Sequence, residues 1–217
     1  LRIEILMSDN PLVGKTAIIT GAGSGLGRSM TLALAQAGTR VGAVDIVPER
    51  LDELKSDVGN AEVLPICANL CEPERCLEVV ENTVSAFGTV DALINSAGVS
   101  LSIIRPNFRR EKVMFWEVPD DKWHEMFDIN ITAPFMLAKA VVPHMLTKGW
   151  GRIVNVTTSL DTMIRPSWTP YGPSKAALEA ASSNWAGDLE GTGITVNVLI
   201  PGGPANTNFV PDVTDEE

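Results

Sequence analysis

The sequence predicts a single α/β domain built on a doubly wound parallel sheet. Short runs rich in β-branched residues alternate along the chain with longer stretches of helical character. The strand runs are almost continuously apolar, as expected for strands that helices bury on both faces. At 217 residues the chain is long enough for one domain with a sizeable core. In sheets of this kind, ligands lie beyond the carboxyl ends of the strands.

The predicted elements follow one another as strand and helix along most of the chain. Six β-branched runs predict strands, at Thr16–Thr20, Arg40–Asp45, Glu62–Ile66, Ala92–Asn95, Arg152–Thr157 and Thr195–Ile200. Five longer stretches predict helices, at Leu26–Ala37, Pro48–Val58, Pro73–Phe87, Asp121–Leu146 and Pro173–Leu189. The connection from Val99 to Pro119 is long and irregular, which in a compact domain usually indicates a functional or disordered segment. We assign residues 8–217 to the domain and expect residues 1–7 to be an added or disordered N-terminus.

Composition excludes some classes of partner. The formal net charge of −10 argues against nucleic acid and anionic membranes. No apolar run approaches the length that spans a bilayer, and Glu4 stands where a signal peptide would be basic or apolar. The three cysteines, Cys67, Cys71 and Cys76, indicate reduced thiols in a cytoplasmic protein. Without a nearby histidine they predict no metal site.

A glycine-rich turn, Thr20-Gly-Ala-Gly-Ser-Gly-Leu-Gly27, lies between the first predicted strand and the first helix. Glycine permits a tight turn and lets the backbone approach a pyrophosphate, while the helix N-terminus offers N–H groups to phosphate. Glycine-rich turns are common, so the position between a strand and a helix is what favours a dinucleotide site.

Asp45 ends the second predicted strand, 18 residues beyond Gly27. A carboxylate at that place can accept hydrogen bonds from an adenosine ribose and would repel a 2′-phosphate, which favours NAD over NADP. Arg28 and Arg40 would weaken this preference if either turned toward the site. A simple strand-end turn residue or a helix cap is the alternative for a lone aspartate.

The chain's single tyrosine, Tyr171, precedes Lys175 by about one helical turn. These positions share one face of a helix, so the ammonium can favour the phenolate and lower the pKa of the tyrosine. Such a tyrosine can donate and accept a proton near neutral pH. By itself, such a pair more often belongs to an amphipathic helix with a solvated lysine.

Other polar and small residues follow the remaining strands. Asn95–Gly98 ends the fourth strand with small side chains over which a cofactor can pass, and residues 157–159 end the fifth with three hydroxyls. Pro201-Gly202 bends the chain after the sixth. Asn130 lies within a predicted helix, where asparagine is usually exposed; if it faced inward, a kink with a bound water would be expected.

Together these segments resemble the short-chain dehydrogenase/reductase family, in its order and spacing, from about Val13 to Thr207. The resemblance implies a Rossmann-type fold, a nicotinamide cofactor and hydride transfer to or from a carbonyl or alcohol carbon. It implies that Tyr171 is the acid/base, that Lys175 lowers its pKa and holds the nicotinamide ribose, and that Asn130 supports a water in a proton relay. The cofactor contacts it implies are Gly21, Ser24, Gly25, Leu26, Gly27, Asp45, Asn69, Leu70, Asn95, Ala97, Gly98, Tyr171, Lys175, Pro201 and Gly202.

The chain departs from the family pattern in four places. The hydroxyl thirteen residues before the tyrosine, which polarises the carbonyl, normally belongs to serine; here it belongs to Thr158, with Ser159 as the alternative. Ser96 replaces a second asparagine, and Asn69 stands where an acidic residue is expected near the adenine. Family members continue beyond Pro201-Gly202 to a seventh strand, so the last strand and helix are expected to be absent from this chain.

The predicted function is therefore an NAD(P)-dependent oxidoreductase that acts on a small carbonyl or alcohol substrate. The alternative is a nicotinamide-dinucleotide-binding sensor or scaffold without turnover, which the threonine at position 158 keeps open. A hydrolase is disfavoured, because the chain has no Gly-x-Ser-x-Gly nucleophile elbow.

Two expectations concern the surroundings of the site. The 99–119 connection carries four basic residues, among them Arg109 and Arg110; it either lines a pocket for an acidic substrate or forms a solvated surface loop. The family forms dimers and tetramers through its two long helices, here Asp121–Leu146 and Pro173–Leu189. The resemblance therefore implies a homodimer or homotetramer.

Overall fold

A computed structural model describes residues 10–202, so the expectations for residues 1–7 and for the chain beyond Gly202 lie outside the described residues. Six parallel strands form one sheet in the order β3-β2-β1-β4-β5-β6. They are β1 (Thr16–Thr20), β2 (Arg40–Asp45), β3 (Val63–Cys67), β4 (Ala92–Asn95), β5 (Gly151–Val156) and β6 (Ile194–Leu199). The predicted doubly wound sheet is confirmed. Its strand order reverses between β1 and β4, where a crevice forms in such sheets.

The helices in the described part of the chain are α1 (Gly25–Gln36), α2 (Pro48–Asp57), α3 (Pro73–Phe87), α4 (Asp120–Phe127), α5 (Ala133–Lys148), α6 (Leu160–Met163) and α7 (Tyr171–Asp188). The predicted bounds of every strand and of α1, α2, α3 and α7 agree with the structure to within two residues. The predicted helix Asp121–Leu146 is wrong as a single regular element. It consists of α4, a π-helical turn at Asp128–Thr132 and α5. The sequence pattern does not predict α6.

Helices cover both faces of the sheet. Ile18 and Ile19 are consecutive in β1, and both are fully buried, but in different clusters. Ile18 packs on the face that carries α3 and α5, and Ile19 on the face that carries α1 and α2. Because successive side chains of a strand point to opposite faces, the central positions of a strand covered on both sides are mostly apolar.

The helical stretch 120–148 is, within the described residues, the one long and apolar enough by length and composition to cross a membrane. That finding qualifies the expectation that no apolar run reaches such a length. Leu137, Val141 and Met145, all in α5, are fully buried in the cluster on the sheet. The apolar character of this stretch is therefore that of a helix packed into a core.

The connection between β4 and α4 is packed into a small core of its own. Leu101, Phe108 and Val113 are buried there together with Met126 and Tyr171. The buried part of this connection is thus a fixed wall beside Tyr171, and the solvated-loop alternative is wrong for it.

The three cysteines differ in environment. Cys76 is buried, and desolvation raises the pKa of its thiol to about 11, whereas Cys67 is exposed and Cys71 partly buried. Within residues 10–202, no group of three or more His, Cys, Asp or Glu side chains is placed to hold a metal ion.

Candidate active site

A cavity of about 460 Å³ opens at the carboxyl ends of β1, β4 and β5. This size is typical of a small-molecule site, and the location is where the strand order reverses. Its lining comes from the glycine turn, from the residues after β4 and β5, and from the first turn of α7. The lining residues are Gly21, Ser24, Gly25, Leu26, Gly27, Ser96, Ala97, Gly98, Ser100, Phe108, Arg109, Val156, Thr157, Thr158, Ser159, Thr162, Arg165, Trp168, Tyr171, Lys175, Pro201 and Gly202.

The glycine turn is shaped by backbone contacts that admit no side chain. A Cβ atom on Gly27 would lie 2.1 Å from the carbonyl oxygen of Gly21, so α1 starts directly against the end of β1. Gly21 has a φ of +67°, and a Cβ atom there would lie 3.1 Å from the backbone nitrogen of Ala97. Only glycine meets both the conformational and the spatial demand at Gly21.

The N-terminus of α1 faces the cavity through Ser24, Gly25 and Leu26. The side chain of Ser24, the N-cap residue, makes no capping hydrogen bond, and the first turn of α1 holds no acidic residue. The first N–H groups and the positive end of the helix dipole can therefore serve an anion such as a pyrophosphate.

Asp45 lies at the end of β2 and is nearly buried. Its carboxylate accepts hydrogen bonds from the backbone nitrogens of Gly23, at 2.9 Å, and Val47, at 3.0 Å. Asp45 is not among the residues that line the cavity; it is attached to the glycine turn through Gly23. The two backbone donors fix its orientation and leave acceptor capacity on both oxygens.

The two arginines that could weaken a preference for NAD have other partners. Arg28 forms an ion pair with Asp57. Arg40 donates to the carbonyl oxygen of Gly14 at 2.9 Å and lies over the ring of Phe87. Both guanidinium groups are therefore engaged away from the carboxylate that ends β2.

Two residues of the predicted cofactor set serve the fold instead of the cavity. The side-chain amide of Asn69 donates to Glu72 at 3.0 Å, and its oxygen accepts from the backbone nitrogen of Cys71 at 3.2 Å. Leu70 is buried in the core cluster. The structure does not bring either side chain to the cavity, because both are used in the turn that leads into α3.

Asn95 also lies behind the cavity rather than in its lining. Its amide donates to the side-chain oxygen of Asn155 at 2.8 Å, and the Asn155 amide donates to Ser182 at 2.8 Å. The hydroxyl of Thr20 accepts from the backbone nitrogen of Ala97 at 2.9 Å. These buried bonds join β1, β4, β5 and α7, and so hold the floor of the site together.

Tyr171, Thr158 and Lys175 meet at the end of β5. Tyr171 opens α7, is only 5% exposed, and its hydroxyl is hydrogen-bonded to the Thr158 side chain. The Nζ atom of Lys175 donates to the backbone oxygen of Val156 at 2.9 Å. The structure thus places the predicted acid/base, a hydroxyl partner and a cation in one buried cluster.

Burial governs the acid–base properties of this cluster. Desolvation raises the pKa of Tyr171 to about 12, and the hydrogen bond from Thr158 opposes that rise. Desolvation lowers the pKa of Lys175 to about 8. The pKa of Tyr171 is therefore raised and not lowered in the protein by itself, because the cost of burying charge dominates, while the effect of Lys175 on this pKa stays a prediction. At neutral pH Tyr171 is a protonated donor, and Lys175 keeps most of its charge.

Ser159, the alternative to Thr158, caps a helix and does not contact Tyr171 through any hydrogen bond that the structure describes. It is the exposed N-cap of α6, where its hydroxyl accepts from the backbone nitrogen of Thr162 at 3.4 Å. Its Oγ also lies 3.1 Å from the Thr162 hydroxyl. Of the two hydroxyls, only that of Thr158 has a hydrogen bond to Tyr171 among the described contacts.

Asn130 is fully buried in the π-helical turn, so it takes the inward-facing alternative and not the exposed position usual for a mid-helix asparagine. Its Oδ1 accepts from the backbone nitrogen of Val99 at 3.0 Å, and its Nδ2 donates to the Val99 oxygen at 3.1 Å and to Ser174 at 3.0 Å. Ser174 donates in turn to the backbone oxygen of Tyr171 at 2.7 Å. The wider π turn aims the amide inward, and the amide then ties the segment after β4 to the first turn of α7.

Sequence reasoning missed an aromatic and basic wall of the cavity. The Trp168 ring centroid lies 5.9 Å from that of Tyr171 and 5.6 Å from that of Phe108. The guanidinium carbon of Arg165 lies 5.2 Å from the Trp168 ring centroid. Arg109 lines the same cavity, as the acidic-substrate hypothesis for its segment requires. No periodicity marks these residues, because they lie on irregular segments that only folding brings together.

The model of the family described as short chain dehydrogenase matches residues 15–217. Among characterised relatives, the chain is 34% identical over 193 residues to the 3-oxoacyl-[acyl-carrier-protein] reductase FabG of Thermotoga maritima. That match covers 88% of this chain and 74% of the reductase.

Solved structures agree with this assignment. An NAD⁺-bound xylitol dehydrogenase superposes with a TM-score of 0.79 at 30% identity, over 90% of this chain and 73% of its own. A putative NAD(P)-dependent gluconate 5-dehydrogenase from Beutenbergia cavernae, with NADP bound at low occupancy, has a TM-score of 0.77 at 29% identity. It is covered over 73% of its length, and this chain over 88%.

Proposed function

The chain belongs to the short-chain dehydrogenase family, and from that premise we propose that it transfers a hydride between a nicotinamide dinucleotide and a small carbonyl or secondary alcohol substrate. One observation supports the proposal above all others. Tyr171, Thr158 and Lys175 meet at a cavity that also receives the glycine turn and the N-terminus of α1. Acid/base chemistry and dinucleotide binding therefore share one site.

The residues present fit a nicotinamide dinucleotide. The glycine turn and the first N–H groups of α1 would hold its pyrophosphate, and Asp45 would accept hydrogen bonds from the adenosine ribose. When bound, the nicotinamide supplies or accepts the hydride. Asp45 favours NAD, because its buried carboxylate would repel a 2′-phosphate and because Arg28 and Arg40 are engaged elsewhere.

The chain's own residues would manage the proton. Tyr171 would donate it to the carbonyl oxygen in reduction and take it from the alcohol in oxidation. Thr158 would hold that oxygen by a hydrogen bond, and the charge of Lys175 would stabilise the phenolate as it forms. Asn130 would act as a positioning residue, because its amide connects Val99 to the first turn of α7.

The test is to follow NADH oxidation over a panel of ketones with the wild-type protein and with Tyr171→Phe. Loss of the phenol should lower kcat by about 10²- to 10⁴-fold, the usual contribution of a general acid. NADH binding, measured by fluorescence, should persist in the variant, since the ring and its packing remain. Turnover that survives in Tyr171→Phe would exclude the assigned role.

A nicotinamide-dinucleotide-binding sensor without turnover is the second candidate. The observation in its favour is the threonine at position 158, whose methyl group restricts the rotation of the hydroxyl. Tight NADH binding with no Tyr171-dependent turnover of any ketone or alcohol would support the sensor. The names of relatives do not decide the substrate, since they specify compounds as different as a 3-oxoacyl-[acyl-carrier-protein] and xylitol.

We also propose a cytoplasmic homodimer or homotetramer that pairs through α5 and α7. Phe135 and Leu146 on α5 are large apolar side chains, 44% and 47% exposed, that such pairing would cover. Sedimentation of the purified protein tests the assembly. A monomer at micromolar concentration would contradict it.

A further inference from the structure

We propose that the substrate carries a carboxylate as well as its carbonyl or alcohol, and that Arg165 binds this carboxylate at the aromatic wall of the cavity. The inference rests on the proposed oxidoreductase function and names the substrate class for that site.

The charge of the cavity is opposite to the charge of the protein. The chain has 27 acidic and 17 basic residues, apart from its histidines. In the described part of the chain, however, three cations line the cavity, namely Arg109, Arg165 and Lys175, and no Asp or Glu does. Lys175 belongs to the acid/base cluster, and the pyrophosphate is accounted for by the glycine turn. Arg165 therefore remains to be explained, and its charge favours an anionic group on the substrate.

Arg165 is placed for such a group by its stacking. Its guanidinium lies over Trp168, and Trp168 lies against the Tyr171 ring, so the cation is one aromatic ring away from the acid/base. Stacking over a ring face leaves the N–H edge of a guanidinium to bind a carboxylate with two parallel hydrogen bonds. Within residues 10–202 no carboxylate forms an ion pair with Arg165.

The turn that carries Arg165 is anchored to the catalytic helix. The backbone nitrogen of Trp168 donates to the oxygen of Arg165 at 3.3 Å, and the nitrogen of Gly172 donates to the oxygen of Trp168 at 2.8 Å. Ser167 between them has a φ of +68°, a left-handed conformation that a non-glycine residue adopts at a cost. The backbone that carries Arg165 is consequently held in a fixed relation to the first turn of α7, and the contact with Trp168 keeps the guanidinium near the Tyr171 ring.

The aromatic wall indicates what separates those two groups. Phe108 and Trp168 line the same cavity as Tyr171 and Arg165, and Trp168 contacts both of the latter, so the ring surface beside the acid/base and the cation favours an apolar segment. A carboxylate suits this wall better than a phosphate, because one planar guanidinium matches a carboxylate, whereas phosphate sites usually combine several donors. The expected substrates are oxo acids, or the hydroxy acids that correspond to them, with an apolar segment between the two groups.

The test compares oxo carboxylates of increasing chain length, from 3-oxobutanoate upward, with their methyl esters, using the full-length protein and NADH. The wild-type enzyme should have a lower KM for the acid than for its ester. Arg165→Met should raise the KM of the acid about ten-fold or more and leave kcat and the ester unchanged, because it removes a charged binding contact but no reacting group. Arg165→Lys should recover part of the loss.

Arg110→Met is the matched control. Arg110 is exposed on the same connection as Arg109 but does not line the cavity, so its removal changes the net charge equally. The ratio of acid to ester KM should stay at the wild-type value. An equal loss in both variants would mean that general charge, and not Arg165, selects the acid, and would overturn the proposal.

Other outcomes separate this inference from the function on which it rests. Turnover of neutral ketones with no effect of Arg165→Met on the acids would overturn the carboxylate site alone. Arg165-dependent selectivity for phosphorylated ketones but not for oxo acids would overturn the carboxylate as the ligand. Calorimetric binding of 4-oxopentanoate that is lost in Arg165→Met would support the anion site even if no ketone were turned over, a result that would overturn only the oxidoreductase.

Discussion

Tyr171 owes its chemistry to neighbours that come from three parts of the chain. Thr158 at the end of β5 hydrogen-bonds its hydroxyl, and Lys175 lies one turn further along α7. Asn130 fixes the backbone around it through Ser174. Each neighbour influences a different property of the phenol: its pKa, the charge near it and its position.

At this scale Thr158→Val should lower kcat by about ten- to a hundred-fold, because a hydrogen bond to the reacting oxygen contributes roughly 1.5–3 kcal/mol. It should also raise the pKa of Tyr171 further, since the Thr158 hydrogen bond opposes the rise caused by burial. Steady-state kinetics across a pH range measure both effects.

Thr158→Ser should keep most of the activity. Ser159→Ala, which removes only the cap of α6, should change kcat little; a larger loss there than in Thr158→Val would reverse the assignment.

Asp45→Asn tests the cofactor preference. Removing the charge while keeping the shape should raise the ratio of NADP to NAD efficiency at least about ten-fold, as expected when one charge repulsion is lost. The control is Asp52→Asn, an exposed aspartate on α2 that should leave the ratio unchanged. Equal ratios in wild type and Asp45→Asn would show that other residues set the preference.

At the scale of secondary-structure elements, two segments shape the candidate active site. The π-helical turn Asp128–Thr132 carries Asn130, whose side chain is fully buried and hydrogen-bonded to Val99 and Ser174. The junction of β1 with α1 requires glycine at Gly21 and Gly27, because the backbone segments are in contact at these positions. Both elements place polar groups at the carboxyl edge of the sheet.

Gly27→Ala should weaken NADH binding and lower the stability by about 1–3 kcal/mol, the usual cost of overpacking. The new methyl group would lie 2.1 Å from the Gly21 oxygen, so α1 must move away from β1. Gly187→Ala is the control, since nothing lies within 4 Å of a Cβ atom there. It should be neutral or raise the stability by up to about 1 kcal/mol through helix propensity. Thermal unfolding and NADH titration of both variants provide the comparison.

For the whole molecule, the buried lysine is an energetic cost that depends on pH. The pKa of Lys175 is lowered to about 8 in the folded protein, so the unfolded chain binds more protons between pH 8 and the ordinary lysine pKa of 10.5. The loss of folding stability caused by burying the charged lysine is therefore fully present below pH 8. It is relieved as the pH rises from 8 to 10.5. A shift of this size corresponds to roughly 3 kcal/mol, at about 1.4 kcal/mol for each pKa unit.

Lys175→Met should accordingly raise the free energy of unfolding at pH 7, and the gain should shrink toward pH 10. Denaturant unfolding at both pH values measures it. Tyr171 does not disturb this window, because its raised pKa contributes stability that is retained up to about pH 10 and is lost only as the pH rises toward 12. If the free energies of unfolding of variant and wild type differed by the same amount at both pH values, the burial of the lysine charge would not be what destabilises the protein.

Much of the fold and part of the site could be predicted because their signals are local. Apolar β-branched runs marked the strands to within a residue, since burial on both faces makes the central positions of a strand apolar and leaves polar residues mainly at its ends. The glycine turn and the pair Tyr171 and Lys175 could be identified because their function depends on residue type at fixed short spacing. The family follows from these same local features taken in order.

What the sequence alone determined is thus the parallel sheet, the family, the glycine turn at the end of β1 and the tyrosine proposed as the acid/base. The tertiary structure decided the burial of Asn130, the choice of Thr158 over Ser159, the direction of the Tyr171 pKa and the stacking of Arg165 on Trp168. The physical reason is that these properties arise from contacts between distant segments and from the exclusion of water. Neither exists until the chain has folded.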